Sequence, residues 1–258
     1  MVAPKKSLGQ HWLRDRDVLS HIADCADLSS DDTVLEIGPG QGALTSEILR
    51  NAGRVVAVEF DGELANKLPA QFPGKELEVI VGDIIEFDLT KLPKNYKVVA
   101  NIPYYITSKI VKMLMTSINK PSITVLLVQK EVASRLAANP GNMSILAISA
   151  QVFAEVTLGD VVPSKLFNPP PKVDSQVVIL RTRQKTIFTD INENEFFRIV
   201  KAGFSSKRKK LRSSLSGGLK ISKDEVESIL KKANISPDVR AEVLDIDDWV
   251  RLTKIISK

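Results

Sequence analysis

Apolar and polar positions follow two different periods along this chain, and the change of period divides it. Short, β-branched and largely apolar runs recur at Thr33–Ile37, Arg54–Glu59, Leu77–Val81, Lys97–Ala100 and Ile123–Val128. Runs of this kind suit parallel strands covered on both faces. Between them, Leu44–Ala52, Gly62–Phe72 and Ser108–Ser117 carry helical periodicity, and Val18–Ala26 is helix-like. Ser108 is placed to cap its helix, and Gly53 and Gly74 fall where helices should stop. Gln151–Val156 and Gln176–Arg181 read as later, antiparallel edge strands. The alternation predicts an α/β fold with an open, doubly wound, mostly parallel sheet, seven strands in all.

From Glu193 onward only helical signals remain: Glu193–Phe204, Ser206–Leu215, Lys223–Ala233 and Asp247–Ser257. Ser222 precedes one of these helices, and Pro237 marks a turn. The pattern predicts an α/β domain over residues 1–183 and a small all-helical domain over 190–258.

Composition narrows the function classes. At 258 residues and 43% hydrophobic, the chain can bury a substantial core. No apolar run approaches the roughly 18 residues of a membrane span. Met1–Gly9 has two lysines and no apolar stretch, so no secretory signal is expected. Cys25 is the lone cysteine, which fits a reducing cytosol, and it reads as buried filler. With only His11 and His21, no transition-metal cluster is expected.

The formal charge of +5 is uneven. Nine basic residues and no acidic one lie between Phe196 and Lys223. Subtracting those nine from 36 leaves 27 basic residues against 31 acidic ones, so the positive excess is local. Its dense part, which includes Lys207, Arg208, Lys209, Lys210 and Arg212, reads either as a solvated face or as a contact for a polyanion.

Four polar features follow four consecutive strands. Gly38-Pro39-Gly40-Gln41-Gly42 opens a helix; its spacing is not that of the dinucleotide fingerprint. Glu59 ends the second strand, 21 residues after Gly38, close to the position of an acid that binds ribose hydroxyls. Asp83 follows the third strand and suits either an adenine amine or a helix cap. Asn101-Ile102-Pro103-Tyr104 follows the fourth. There a carboxamide, two carbonyls freed by proline and an aromatic face can grip a nucleobase amine; the plain alternative is an Asn-X-Pro turn. Ligands of open α/β sheets bind at this edge. An acidic rim without a lysine in the glycine loop disfavours a triphosphate and suits a nucleoside bearing a cation, as in S-adenosylmethionine.

With these residues the chain resembles Rossmann-like class I S-adenosylmethionine-dependent methyltransferases. Asn101-Ile102-Pro103-Tyr104 is similar to the signature of rRNA adenine N6-methyltransferases. Leu8-Gly9-Gln10-His11-Trp12-Leu13 and Phe167-Asn168-Pro169-Pro170-Pro171-Lys172-Val173-Asp174-Ser175 narrow the resemblance to KsgA-type dimethyladenosine transferases of the small ribosomal subunit. The basic helical segment and Arg240-Ala241-Glu242 are similar to that family's C-terminal domain.

The resemblance implies transfer of methyl groups to the N6 amines of adjacent adenines in the 3′-terminal hairpin of small-subunit rRNA. It implies S-adenosylmethionine as cofactor, the assembling small subunit as partner, and a cytoplasmic monomer. It also implies site roles. His11, Leu13, Gly38, Gly40, Glu59, Asp83, Ile84 and Asn101 would border the cofactor, and Asn101, Ile102, Pro103, Tyr104 and Phe167 the target adenine, with Tyr104 and Phe167 as its two walls. Lys207, Arg208, Lys209, Lys210 and Arg212 would meet RNA. Trp12 stands where the family usually has phenylalanine. Two other readings stay open: a large-subunit rRNA methyltransferase of the antibiotic-resistance type, and a non-catalytic assembly factor on the same fold.

Overall fold

The structure is a computed structural model that describes Lys5 and residues 9–257. Leu8 and most of Met1–Gly9 lie outside the described residues. In chain order the elements are β1 (Trp12–Leu13), α1 (Arg16–Asp24), β2 (Thr33–Ile37), α2 (Ala43–Asn51), β3 (Arg54–Glu59), α3 (Gly62–Lys67), β4 (Leu77–Val81), β5 (Lys97–Asn101), α4 (Thr107–Thr116), β6 (Ile123–Gln129), α5 (Lys130–Leu136), α6 (Ile145–Gln151), β7 (Ala154–Val162), β8 (Phe167–Asn168) and β9 (Ser175–Thr182). Four helices follow: α7 (Glu193–Gly203), α8 (Leu211–Leu219), α9 (Lys223–Lys232) and α10 (Ile246–Ile256).

Seven strands form one sheet in the order β4-β3-β2-β5-β6-β9-β7. The first five neighbours run parallel, and β9 runs antiparallel to both β6 and β7. β2 and β3 pair residue for residue from Thr33↔Arg54 to Ile37↔Val58, so the two strands end level with one another. The apolar runs explain this arrangement: Val34, Leu35, Val55, Ala57, Val98, Val99, Val125 and Leu127 are buried, as helix-covered parallel strands require. A separate two-stranded ribbon pairs β1 with β8, Trp12 with Asn168 and Leu13 with Phe167.

Several expectations shift. β9 is an interior strand, not an edge, because Val177, Val178 and Leu180 are buried between two neighbours. The strand expected from Gln151 begins at Ala154, since Gln151 closes α6. The helix expected over Gly62–Phe72 stops at Lys67, ahead of Pro69, which opens a single 3₁₀ turn. Thr107, not Ser108, begins α4, which has no side-chain cap. Cys25 is half-buried beside the core, just past α1.

Two compact units share the chain. One comprises 1–134 and 154–182; the other comprises 135–153 and 183–258. Residues 135–153, expected within the α/β part, are tied into the second unit. Gln151 donates to the carbonyls of Leu136 and Ala138, the amides of Gly141 and Met143 donate to Glu242, and Phe153 packs on Phe188 and Phe197. Phe196, Leu215, Leu230 and Trp249 fill the core of that unit.

Candidate active site

The glycine loop after β2 exists because its backbone turns left-handed three times. Gly38, Gly40 and Gly42 have φ of 67°, 59° and 81°, a region that L side chains rarely enter. A Cβ at Gly42 would also stand 2.7 Å from Leu68. The loop follows the end of β2 and borders a cleft of about 380 Å3, within the usual size of small-molecule sites.

Four strand ends supply the cleft's polar wall: Glu36 from β2, Glu59 from β3, Asp83 after β4 and Asn101 from β5. The strand order reverses between β2 and β5, which is where such sheets open a crevice. β1 adds Trp12 and Leu13 to the lining, and His11 just before it joins them.

Glu59 is 6% exposed. One of its oxygens accepts from the Gly40 amide at 3.0 Å and the other from the Asp61 amide at 2.8 Å. Burial raises its pKa, with those backbone donors opposing the shift. Each oxygen keeps acceptor capacity. Glu36 is 1% exposed, and its Oε2 has no hydrogen-bond partner. Burial pushes its carboxyl up to about 8, Thr45 opposing and Glu59 adding to the shift. Asp83 accepts from the Ile85 amide with Oδ1 at 2.9 Å and so caps a short 3₁₀ turn, while Oδ2 stays open. The Asn101 side chain has no partner among the described residues and lines the cleft.

At the substrate end, Ile102, Pro103 and Tyr104 also line the cleft. The Tyr104 hydroxyl lies 2.7 Å from Ser175 Oγ. Burial raises the tyrosine's pKa, with the Ser175 bond opposing and Asp174 adding to the shift. The His11 ring stacks near the Tyr104 ring, 6.1 Å between centroids at 17°. His11 Nδ1 is 2.7 Å from the Pro169 carbonyl. A carbonyl only accepts, so Nδ1 carries the proton and the ring is held as a donor there.

The cleft thus gathers His11, Leu13, Gly38, Gly40, Glu59, Asp83, Ile84, Asn101, Ile102, Pro103 and Tyr104. Phe167 is not among them. It is 4% exposed and packs in the core with Leu13, its partner in the ribbon. Strand alternation turns Phe167 inward and Asn168 outward. The aromatic neighbour of Tyr104 in this structure is His11. Sequence reasoning also missed Glu36 and Ser175: Glu36 stands within the first strand run and Ser175 at the end of the proline-rich motif, but burial and hydrogen bonding carry no local signal. The indole Nε1 of Trp12 is buried without a partner near Gly40, so the larger ring adds a donor that phenylalanine lacks.

The basic run lies elsewhere, in the turn between α7 and α8, because α8 starts at Leu211 rather than at Ser206. Lys207, Arg208 and Lys209 are exposed and unpaired among the described residues. Lys210 pairs with Asp238 at 2.9 Å and Arg212 with Glu227 at 2.6 Å. The acid-free window in sequence is therefore partly neutralised in space.

The chemistry of the donor set fits S-adenosylmethionine. Acceptors that pair with no cation among the described residues suit ribose hydroxyls and an amine, and the glycine loop leaves room for close backbone approach.

Known proteins agree. The family model described as ribosomal RNA adenine dimethylase matches residues 1–258. A ribosomal RNA small subunit methyltransferase A of Dehalococcoides mccartyi is 42% identical over 252 residues, covering 96% of this chain and 87% of that protein. One of Nostoc sp. is 40% identical, covering 100% and 99%. Among solved structures, a dimethyladenosine transferase from Plasmodium falciparum superposes with a TM-score of 0.81 at 30% identity, covering 94% of this chain and 96% of that one. The 23S rRNA methyltransferase ErmE gives 0.77 at 28%, covering 96% and 100%. The chain belongs to the ribosomal RNA adenine dimethylase family.

Proposed function

We propose that this enzyme dimethylates the N6 amines of adjacent adenines in the 3′-terminal hairpin of small-subunit rRNA. The same reading has it act in the cytoplasm as a monomer on the assembling small subunit. The observation that carries the chemistry is the unpartnered Asn101 carboxamide at the end of β5, facing a cleft walled by Glu36, Glu59 and Asp83. The choice of the small subunit is supported by relatives named for it at 40–42% identity over nearly the whole chain. No helix among the described residues is long and apolar enough to cross a membrane.

When bound, S-adenosylmethionine supplies an electrophilic methyl group on a sulfonium. Glu59 would take its ribose hydroxyls, Asp83 Oδ2 its adenine amine, and Gly38 and Gly40 its methionine end. The target amine is a weak nucleophile because its lone pair is delocalised into the ring. Asn101 Oδ1 and the Ile102 carbonyl each accept one N–H of that amine. This favours a pyramidal nitrogen whose lone pair faces the methyl group. Positioning of this kind supplies several kcal/mol of barrier reduction, and the fixed dipoles stabilise the charge that develops on nitrogen. The proton leaves after transfer, so no strong base is needed. A paired base cannot reach the cleft; the adenine must be unstacked and held on the face of Tyr104, a stack worth ~1–3 kcal/mol. Lys207, Arg208 and Lys209 would hold phosphates.

The test is incubation with labelled S-adenosylmethionine and unmodified small subunits, followed by mass spectrometry of the rRNA. Dimethyladenosine in the 3′-terminal hairpin is expected. Label in large-subunit RNA would favour the activity for which ErmE is named, and no label with retained particle binding would favour an assembly factor.

A further inference from the structure

Two residues at the mouth of the cleft have no part in the chemistry above. Tyr105 is 68% exposed, an unusual state for so large a ring, and it lines the cleft beside Tyr104. Its neighbour Tyr104 turns toward Ser175, whereas the Tyr105 ring lies along Gly9, where a Cβ would stand 3.6 Å from two ring carbons. Gly9 has φ of 63°, which disfavours a side chain there and leaves that side of the ring bare. Lys109 lines the same cleft. It stands four residues on, in the first turn of α4, while Tyr105 belongs to the 3₁₀ turn Tyr104–Ile106 that leads into that helix. Neither side chain has a hydrogen bond or ion pair among the described residues.

From this juxtaposition of a solvent-facing ring and a free ammonium lining the same cleft, we propose that Tyr105 and Lys109 form a subsite for the nucleotide flanking the target adenine. Tyr105 stacks on the flanking base and Lys109 meets its phosphate. The subsite deepens the methyltransferase reading and rests on it. An unstacked adenine leaves its neighbour with one bare face, and an exposed aromatic face accepts any base. A nearby cation then fixes the strand by its backbone, which carries no sequence information.

The test uses the full-length enzyme with unmodified small subunits and S-adenosylmethionine. Tyr105→Ala should raise KM for the particle about tenfold, the scale of removing one stack, while kcat changes much less. Tyr105→Phe, which keeps the face, should restore KM. Lys109→Ala should also raise KM and reduce the slope of log affinity against log salt by about 0.7, which Tyr105→Ala should not. S-adenosylmethionine affinity, measured on the enzyme alone, should be unaltered in all three. Unchanged KM in both alanine variants overturns the subsite and leaves the methyltransferase reading standing. Weakened cofactor affinity in Tyr105→Ala overturns it by assigning the ring to the cofactor. A wild-type enzyme inactive on these particles overturns both readings.

Discussion

The hydroxyl of Tyr104, on the loop after β5, lies 2.7 Å from the hydroxyl of Ser175, the first residue of β9. Ser175 is fully buried, so the bond anchors the ring to the sheet. Ser175→Ala would leave a half-buried phenol short of a partner, a cost of ~1–3 kcal/mol. Methyl transfer should fall several-fold and the melting temperature by a few degrees, and Tyr104→Phe should show a similar drop in methyl transfer. Wild-type kcat in both variants would remove the anchor from the mechanism.

Asn101→Ala removes an acceptor that the transition state needs more than the ground state does. Methyl transfer should fall about 100-fold or more, by analogy with the removal of one preorganised polar group. Particle binding, measured separately, should change little, because phosphate contacts dominate it. Near-normal turnover would sink the amine clamp.

Glu36 makes stability depend on pH in a definite direction. Burial raises its carboxyl from 4.5 to about 8, so between those values the folded chain holds a proton that the unfolded chain has released. Stability should therefore fall as pH rises through that window and level off above about 8. Urea midpoints across the range measure it. Glu36→Gln should reduce the slope, leaving the part that belongs to Glu59, whose pKa burial also raises. An unaltered slope would mean that Glu36 is ionised in the folded enzyme.

The turn before α8 should matter through charge alone. Replacing Lys207, Arg208 and Lys209 with alanine should weaken particle binding. The salt slope should drop by about 0.7–0.9 for each phosphate no longer neutralised. Replacing Lys210 and Arg212 should matter less, because each already faces a carboxylate; their exposed pairs contribute only ~0–1 kcal/mol to stability. Equal salt slopes for the two sets would contradict this division.

The parallel strands were legible because covering both faces demands unbroken apolar runs, and Arg54–Glu59 was readable to the residue. The glycine loop was legible because left-handed turns leave few residue choices. Other features depend on distant partners. α8 was expected to end at Leu215, but it continues through Gly217 and Gly218 because Gly218 packs on α7, where a Cβ would stand 2.6 Å from Ala202. Phe167 was visible as a motif residue; which way it faces depends on a strand partner far away in sequence.

That partner lies in the two-residue ribbon of β1 and β8, which joins Trp12 to Asn168. A ladder this short has few bonds to break and opens at a lower free energy than the seven-stranded sheet behind it. The wall carrying His11 and Trp12 is thus less protected than the sheet, and amide exchange there should outpace exchange in β2 and β5. Loop-closure entropy also sets its order of assembly. The ribbon must bring together segments more than 150 residues apart, so the cleft closes only after the sheet exists.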